Sequence, residues 1–161
     1  MLKIISGAQT GVDRGALNAA LASQTPCGGW CPADRRAEDG IIAPHYPVTP
    51  LLGAGYRKRT RQNVIDSDAT VIIYHTQIQL SSGTALTLKT CLEQHKPFLL
   101  IDAQTVPAAV AGQNIAHFVR QHSIRALNFG GPRRSIVPMI ESYTEQAVAC
   151  AIQLLANAKA A

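Results

Sequence analysis

Three glycine-containing segments carry residue types that bind anions. The first, residues 6–14, reads Ser-Gly-Ala-Gln-Thr-Gly-Val-Asp-Arg, and the second, residues 81–84, reads Ser-Ser-Gly-Thr. The third, residues 128–135, reads Asn-Phe-Gly-Gly-Pro-Arg-Arg-Ser. Glycine lets the backbone approach a ligand closely, and the free amides at a helix N-terminus attract phosphate. We therefore predict an anion-binding site, with candidate residues Gly7, Gln9, Thr10, Gly11, Asp13, Arg14, Ser81, Ser82, Gly83, Thr84, Asn128, Gly130, Gly131, Arg133 and Ser135.

Arginine supplies most of the positive charge. The formal net charge is +5, and ten of the 15 basic residues are Arg. Arg binds phosphate in a planar, bidentate geometry that Lys cannot adopt. Eight of the arginines lie in or beside these segments and the long loop of residues 32–56: Arg14, Arg35, Arg36, Arg57, Arg59, Arg61, Arg133 and Arg134. We add Arg35, Arg36 and Arg59 to the candidate site and expect a polyanionic small molecule, such as a nucleotide or a phosphorylated pterin.

Each segment also has a purely structural interpretation. Many strand-to-helix turns need glycine only to turn, and Asp13 with Arg14 fits a surface ion pair equally well. Ser82 or Thr84 fits a simple helix cap. The first segment is neither a G-x-G-x-x-G dinucleotide motif nor a Walker A loop. The predicted site therefore depends on the three segments meeting in space.

The elements that must position these segments alternate between apolar and amphipathic stretches, which is typical of βαβ units. Strands are predicted at residues 1–6, 28–31, 69–74, 97–101 and 124–128, and helices at 10–23, 57–66, 82–95, 107–121 and 135–159. Residues 32–56 are predicted to form a long functional loop. This order predicts one Rossmann-like, doubly wound α/β domain over residues 1–161, with a mostly parallel sheet and helices on both faces. In such a sheet, ligands bind at the carboxyl ends of the strands, where all three segments lie.

Composition excludes several other classes of protein. A hydrophobic content of 47% and a charged content of 16% do not fit a disordered or coiled-coil chain. No apolar run approaches the roughly 20 residues of a membrane helix, and Gln9 and Asp13 interrupt any signal sequence, so we expect a cytoplasmic protein. The four cysteines are expected to be free thiols. Cys27 and Cys31 have no second pair to complete a metal site, so no metal site is predicted and their role stays open.

The motifs resemble those of the molybdenum-cofactor carrier family, in order along nearly the whole chain. The similar stretches are residues 7–17, 28–32, 35–40, 56–70 and 127–133. This family is a Rossmann-like branch related to the circularly permuted YpsA and LOG-type nucleotide-binding proteins. The resemblance implies a homo-oligomer, either a dimer or a tetramer, that binds the molybdenum cofactor or a nucleotide. It also points to molybdoenzymes as protein partners.

Two classes of function follow. The first is a carrier or storage protein, in which Arg35, Arg36, Arg59 and Arg133 clamp a phosphate or a molybdate-like oxyanion. The alternative is a nucleotide-processing enzyme that resembles LOG-type phosphoribohydrolases. In those enzymes a catalytic Glu stands three residues beyond the Thr of the glycine-rich turn, and the resemblance puts Thr87 at that place. A hydroxyl cannot replace a carboxylate as a general acid or base, so we favour binding over catalysis. Nucleic-acid binding is not expected, because few aromatic residues accompany the arginines.

Overall fold

Short strands alternate with helices along the chain, as the apolar pattern predicts. A computed structural model describes residues 1–160 and the side chains of residues 1–158. The helices are α1 (Val12–Ala22), α2 (Tyr56–Ile65), α3 (Gly83–Glu93), α4 (Ala108–Gln121) and α5 (Ile140–Ala160). The strands are β1 (Lys3–Ile5), β2 (Cys27–Gly28), β3 (Trp30–Cys31), β4 (Arg36–Ala37), β5 (Gly40–Ile41), β6 (Thr49–Pro50), β7 (Ala69–Tyr74), β8 (Phe98–Asp102) and β9 (Ala126–Gly130).

A parallel sheet of five strands forms the centre, in the order β2-β1-β9-β7-β8. Its middle strands are apolar and buried, as expected for a sheet covered on both faces. The side chains of Ile4, Ile72 and Leu127 are almost completely inaccessible to solvent. Helices α1, α4 and α5 pack together in one layer, and α2 packs on α3. This architecture confirms the predicted Rossmann-like α/β fold.

The sheet order creates a crevice at its carboxyl edge. After β1 the chain moves through α1 to β2, whereas after β7 it moves through α3 to β8 on the opposite side. Strand β9 lies between β1 and β7. Connections that leave in opposite directions open a crevice beyond the strands, and this is where open α/β sheets bind ligands.

Residues 32–56 are more ordered than the predicted loop. Strand β3 pairs with β6, and β4 pairs with β5 in a small antiparallel hairpin. The predicted strand at residues 28–31 is divided at Gly29, which has φ +133° and lies so close to β1 that a Cβ would be 2.1 Å from the carbonyl oxygen of Ser6. A second apolar cluster anchors this segment to α1 through Leu17, Ile42 and Tyr46.

Most predicted bounds agree with the structure within two residues, and β7 agrees to the residue. The closing helix is the main difference, because α5 begins at Ile140 and not at residue 135. Pro138 explains the delay, since a proline disfavours helical backbone at the residue before it. None of the helices in residues 1–160 combines the length and the apolarity that crossing a bilayer demands.

Candidate functional site

A cleft of about 370 Å³ opens at the carboxyl ends of β7 and β9. Its volume lies in the range of small-molecule sites, roughly 300–1,000 Å³. The lining takes residues from all three glycine-containing segments, so the sheet brings them together. The predicted site residues that line the cleft are Gln9, Asp13, Arg59, Ser81, Ser82, Gly83, Thr84, Asn128, Gly130, Gly131 and Arg133.

Arg59, on α2, lines the cleft and is 8% exposed. Its Nη1 donates to Oδ2 of Asp13 at 3.1 Å. Its Nε is buried and has no hydrogen-bond partner among the described residues. A buried donor without a partner is costly to a protein, which makes Arg59 an unusual residue of this lining.

Gly7 makes the position of Arg59 sterically feasible. A Cβ at residue 7 would be 1.9 Å from Nη1 of Arg59 and 2.4 Å from the guanidinium carbon. Gly7 therefore does not line the cleft but provides the space that the guanidinium occupies.

Asp13 is the one carboxylate among the described residues that line the cleft. Burial raises the pKa of its carboxyl above the ordinary value, and the Arg59 cation only partly opposes that rise. The backbone amide of Gln9, in the same segment, donates a second hydrogen bond to this carboxylate at 3.3 Å. A buried carboxyl of this kind in a cleft is typical of functional sites.

The N-terminus of α3 faces the cleft with free donors. The Ser82 hydroxyl caps this helix by accepting from the Ala85 amide at 3.1 Å. The amides of Gly83 and Thr84 have no acceptor among the described residues, and both residues line the cleft. These amides, together with the positive end of the helix dipole, form an anion-binding end of the cleft. One turn later Thr87 is buried and donates its hydroxyl to the Gly83 carbonyl at 3.0 Å.

Arg133, in the third glycine-containing segment, adds positive charge to the lining. Its side chain is 48% exposed, and its nearest carboxylate, on Glu38, is 3.9 Å away. Arg57 also lines the cleft and is exposed. Together with Arg59, these side chains give the cleft three guanidinium groups against the single carboxylate of Asp13.

An apolar and aromatic wall completes the lining, and sequence reasoning missed it. It consists of Tyr56, Tyr74, Ile78, Leu86, Phe129, Ile136 and Val137. Such residues are also typical of a protein core, so nothing in the sequence marked them as ligand contacts. Other lining residues absent from the predicted site are Arg57, Thr60, Asn63, His75, Gln77, Gln79, Thr87 and Pro132. The sequence marked only Tyr74 and His75, because Tyr74 ends the most clearly predicted strand and His75 follows it.

Seven predicted site residues lie outside the cleft lining: Gly7, Thr10, Gly11, Arg14, Arg35, Arg36 and Ser135. Gly11 has φ +86°, and its amide donates to Oε2 of Glu141 at 2.8 Å. The start of α1 is therefore already occupied by a carboxylate of α5.

The guanidinium of Arg14 is also engaged within the protein. Its two terminal nitrogens donate to the Asp39 carboxylate at 2.5 and 2.8 Å, and its Nε donates to the Ala8 carbonyl at 3.1 Å. The hydrogen bonds from Arg14 hold the pKa of Asp39 below its ordinary value. This bidentate pair fastens the hairpin of β4 and β5 to α1.

Arg35 and Arg36 face away from the cleft. Arg35 donates to the Val48 carbonyl at 2.8 Å and so closes its own loop. Arg36 is exposed, and its nearest carboxylate, on Asp34, is 3.6 Å away. Both arginines were predicted to bind the ligand, but neither lines the cleft.

Glu38 connects the first and third segments through Thr10 and Ser135. Oε1 accepts from the Thr10 hydroxyl and from the Ser135 amide at 3.1 Å, and Oε2 accepts from the Ser135 hydroxyl at 2.5 Å. Burial alone would raise the pKa of Glu38, but the hydrogen bonds from Ser135 and Thr10 bring it below the ordinary value. Glu38 therefore holds the segment that carries Arg133 against the start of α1.

The cysteines and histidines give no metal centre in the described part of the chain, where no three metal-ligating side chains gather. Cys27, Cys31, Cys91 and Cys150 are free thiols. Burial raises the pKa of Cys27 and Cys31 above the ordinary value, which makes both thiols less reactive.

Comparisons with known proteins agree with the fold of the chain. The model of the circularly permutated YpsA SLOG family matches residues 4–152. Among solved structures, a protein from Syntrophus aciditrophicus SB, described as a putative molybdenum carrier protein, is 38% identical. The match covers 94% of this chain and 95% of that chain, with a TM-score of 0.89. No curated protein sequence matches the chain.

Proposed function

This chain belongs to the circularly permuted YpsA SLOG family, and we propose that it binds a phosphorylated small molecule and carries or stores the molybdenum cofactor. The observation that carries the proposal is the convergence of free α3 amides, Arg59 and Arg133 on one cleft. The name of the Syntrophus protein supports the choice of this cofactor as the cargo.

The phosphate of the ligand binds at the start of α3 in this proposal. The amides of Gly83 and Thr84 donate to its oxygens, and Arg59 offers the buried Nε–H that has no partner in the protein. Arg133, which lines the same cleft, neutralises the remaining charge. Charge-assisted hydrogen bonds from a guanidinium to phosphate are among the strongest in proteins.

The flat ring system of the ligand packs against the apolar wall. Tyr56, Tyr74 and Phe129 supply aromatic surface, and the amide side chains of Gln77 and Asn128 lie along the same lining. A pterin has a flat face and a hydrogen-bonding edge, so it fits such a lining. The proposal thus rests on recognition of phosphate and ring, and the metal travels as part of the cargo.

Nucleotide processing is the second candidate function. The observation that favours it is the buried carboxyl of Asp13 in the lining of the cleft. This carboxyl, with a raised pKa, has the character of a general acid. A mononucleotide offers the same combination of phosphate and flat ring. In this alternative, incubation with nucleoside monophosphates releases free base, and Asp13→Asn abolishes the release.

The protein partners of the proposal are a second copy of this chain and a molybdoenzyme that accepts the cargo. Both follow from the family resemblance, and neither is needed for the cleft to bind a phosphorylated ligand.

Mass spectrometry of small molecules released from the purified protein tests the proposal. The expected result is a phosphorylated pterin that copurifies in a constant ratio to the chain. Titration of the protein with this pterin should then show saturable binding. A nucleotide or a free base in its place would favour the second candidate, and failure of both pterin and nucleotide to bind would contradict the proposed function.

A further inference from the structure

Asp13 and Arg59 form an ion pair in the lining of the cleft. We infer that Asp13 is a positioning residue of the anion subsite, which holds the Arg59 guanidinium in the cleft and takes up one proton when a dianion binds there. The inference rests on the proposed function, because it needs an anion beside Arg59.

The geometry of Asp13 explains how it positions Arg59. Asp13 lies in the first turn of α1, is 5% exposed and accepts from Nη1 of Arg59 at 3.1 Å. Gly7 leaves the space that the guanidinium occupies, since a Cβ there would be 1.9 Å from Nη1. Arg59 thus extends from α2 to the first segment, which holds its guanidinium in place. Its Nε–H has no partner among the described residues.

Charge explains why a proton accompanies the anion. A dianion at Arg59 stands close to the Asp13 carboxylate, and like charges disfavour ionisation of the carboxyl. The anion also competes with Asp13 for the hydrogen bonds of Arg59. Since burial already raises the pKa of Asp13 in the free protein, the anion raises it further, and protons are taken up between the two pKa values.

Most other charged groups around Asp13 are paired or do not titrate near neutral pH. From α2, Arg59 contacts the carboxylate, and from the connection between β9 and α5, Arg133 lines the same cleft. Arg14 in α1 pairs with Asp39, and Glu141 in α5 accepts from the Gly11 amide. His75, at the end of β7, is the one histidine among the described lining residues. Because His75 also lines the cleft, the experiment must separate it from Asp13.

Calorimetric titration with sulfate measures the number of protons directly. Sulfate stays dianionic across the neutral range, so only the protein takes up protons. Repeating the titration in two buffers with different ionisation enthalpies gives the proton number. Wild type should take up protons as sulfate binds, to a limit of one for each site, and its affinity should fall as the pH rises above the pKa of Asp13 in the free protein.

Two variants assign the proton. Asp13→Asn should bind sulfate without proton uptake, and its affinity for sulfate should no longer fall as the pH rises. His75→Gln should retain the uptake of wild type. Because Asp13→Asn leaves the Arg59 cation buried without its partner, this variant is checked for folding first. Carbon-13 NMR of the Asp13 carboxyl in wild type, with and without sulfate, gives the same answer without any substitution.

The outcomes separate this inference from the proposed function. Sulfate binding without proton uptake, an Asp13 signal that does not change, or uptake that persists in Asp13→Asn would each overturn the inference and leave the proposed function intact. If wild type bound neither sulfate nor a phosphorylated pterin or nucleotide, the proposed function and the inference would both be wrong.

Discussion

The arginine side chains differ in what their guanidinium groups touch, and this difference separates binding from scaffolding. Arg14 and Arg35 are saturated by Asp39 and by backbone carbonyls. Arg59 and Arg133 line the cleft and retain donors for a ligand. The sequence predicted an arginine-rich site, but a guanidinium on a long side chain can reach in many directions, so the sequence did not reveal which arginines line the cleft.

Arg133→Ala should weaken binding of a phosphorylated ligand by roughly tenfold, because a charge-assisted hydrogen bond is lost. Stability should change little, since the Arg133 side chain is 48% exposed and its nearest carboxylate is 3.9 Å away. The matched control is Arg36→Ala, which removes an exposed arginine outside the cleft. Calorimetric titration of both variants checks the prediction. Equal affinities for the two variants would argue against a role for Arg133 in binding.

Gly7→Ala should displace Arg59 from the cleft. The added Cβ would be 1.9 Å from Nη1, and the guanidinium is the flexible end that must move. We expect ligand affinity to fall by about 10- to 100-fold, because the buried donors of Arg59 no longer reach the anion. Gly55→Ala is the control, since a Cβ there meets nothing within 4 Å. A Gly7→Ala protein that folds and binds with wild-type affinity would show that Arg59 is not a ligand contact.

Glu38 predicts a pH dependence of stability. Its pKa in the folded protein lies below the ordinary 4.5, so its stabilisation is present above that value and is lost as the pH falls through the lowered one. The effect should be about 1 kcal/mol or less, because the site is partly open to solvent. Glu38→Gln should flatten the acid limb of the unfolding free energy measured by urea denaturation. Asp34→Asn, an exposed carboxylate on the same segment, should leave that limb unchanged, and identical curves for wild type and Glu38→Gln would refute the assignment.

At the scale of elements, the two candidate helix starts have different fates. At the start of α1, the Glu141 carboxylate accepts a hydrogen bond from the Gly11 amide. At the start of α3, the amides of Gly83 and Thr84 have no acceptor among the described residues. Sequence reasoning treated both as equivalent glycine-containing turns. It could not distinguish them, because Glu141 is 130 residues from Gly11 in the chain, and only the packing of α5 on α1 brings the two together.

Ser82→Ala should cost about 1 kcal/mol of the free energy of unfolding, because the α3 amides lose their side-chain cap. The frayed helix start should also weaken ligand binding, since the same turn carries Gly83 and Thr84. Ser81→Ala is the control, because Ser81 is exposed and does not cap the helix. Chemical denaturation measures the difference, and a Ser82→Ala protein as stable as Ser81→Ala would disprove the importance of this cap.

Periodicity predicts the helices and strands well where apolar residues are continuous, and less well where loops pack. Strand β7 was predicted to the residue because its six residues form one continuous run, of which the first five are buried. The segment 32–56 was predicted as a loop, since its strands are two residues long and its order comes from tertiary contacts with α1. Two-residue strands carry no periodic signal in the sequence.

At the scale of the whole molecule, β8 is an edge strand with apolar surface beside it. Leu100 on β8 is 43% exposed and Leu92 on α3 is 57% exposed. Edge strands with exposed apolar side chains tend to be covered by another chain. We expect light scattering to give a mass of two or four chains of 17.2 kDa, with a smaller assembly for Leu100→Lys. Leu80→Lys, at a fully exposed position elsewhere, is the control, and a wild-type mass of one chain would contradict the predicted homo-oligomer.

The central claim is that a phosphorylated ligand binds between the start of α3 and Arg59. Amide NMR of the nitrogen-15-labelled protein during titration with a phosphorylated pterin or AMP tests it most directly. The account predicts saturable shifts of the Gly83 and Thr84 amides and of the Arg59 Nε–H, with little change at the Gly11 amide, which Glu141 already occupies. Saturable shifts confined to Gly11, to the arginines of residues 35–36 or to a surface outside the cleft would contradict it.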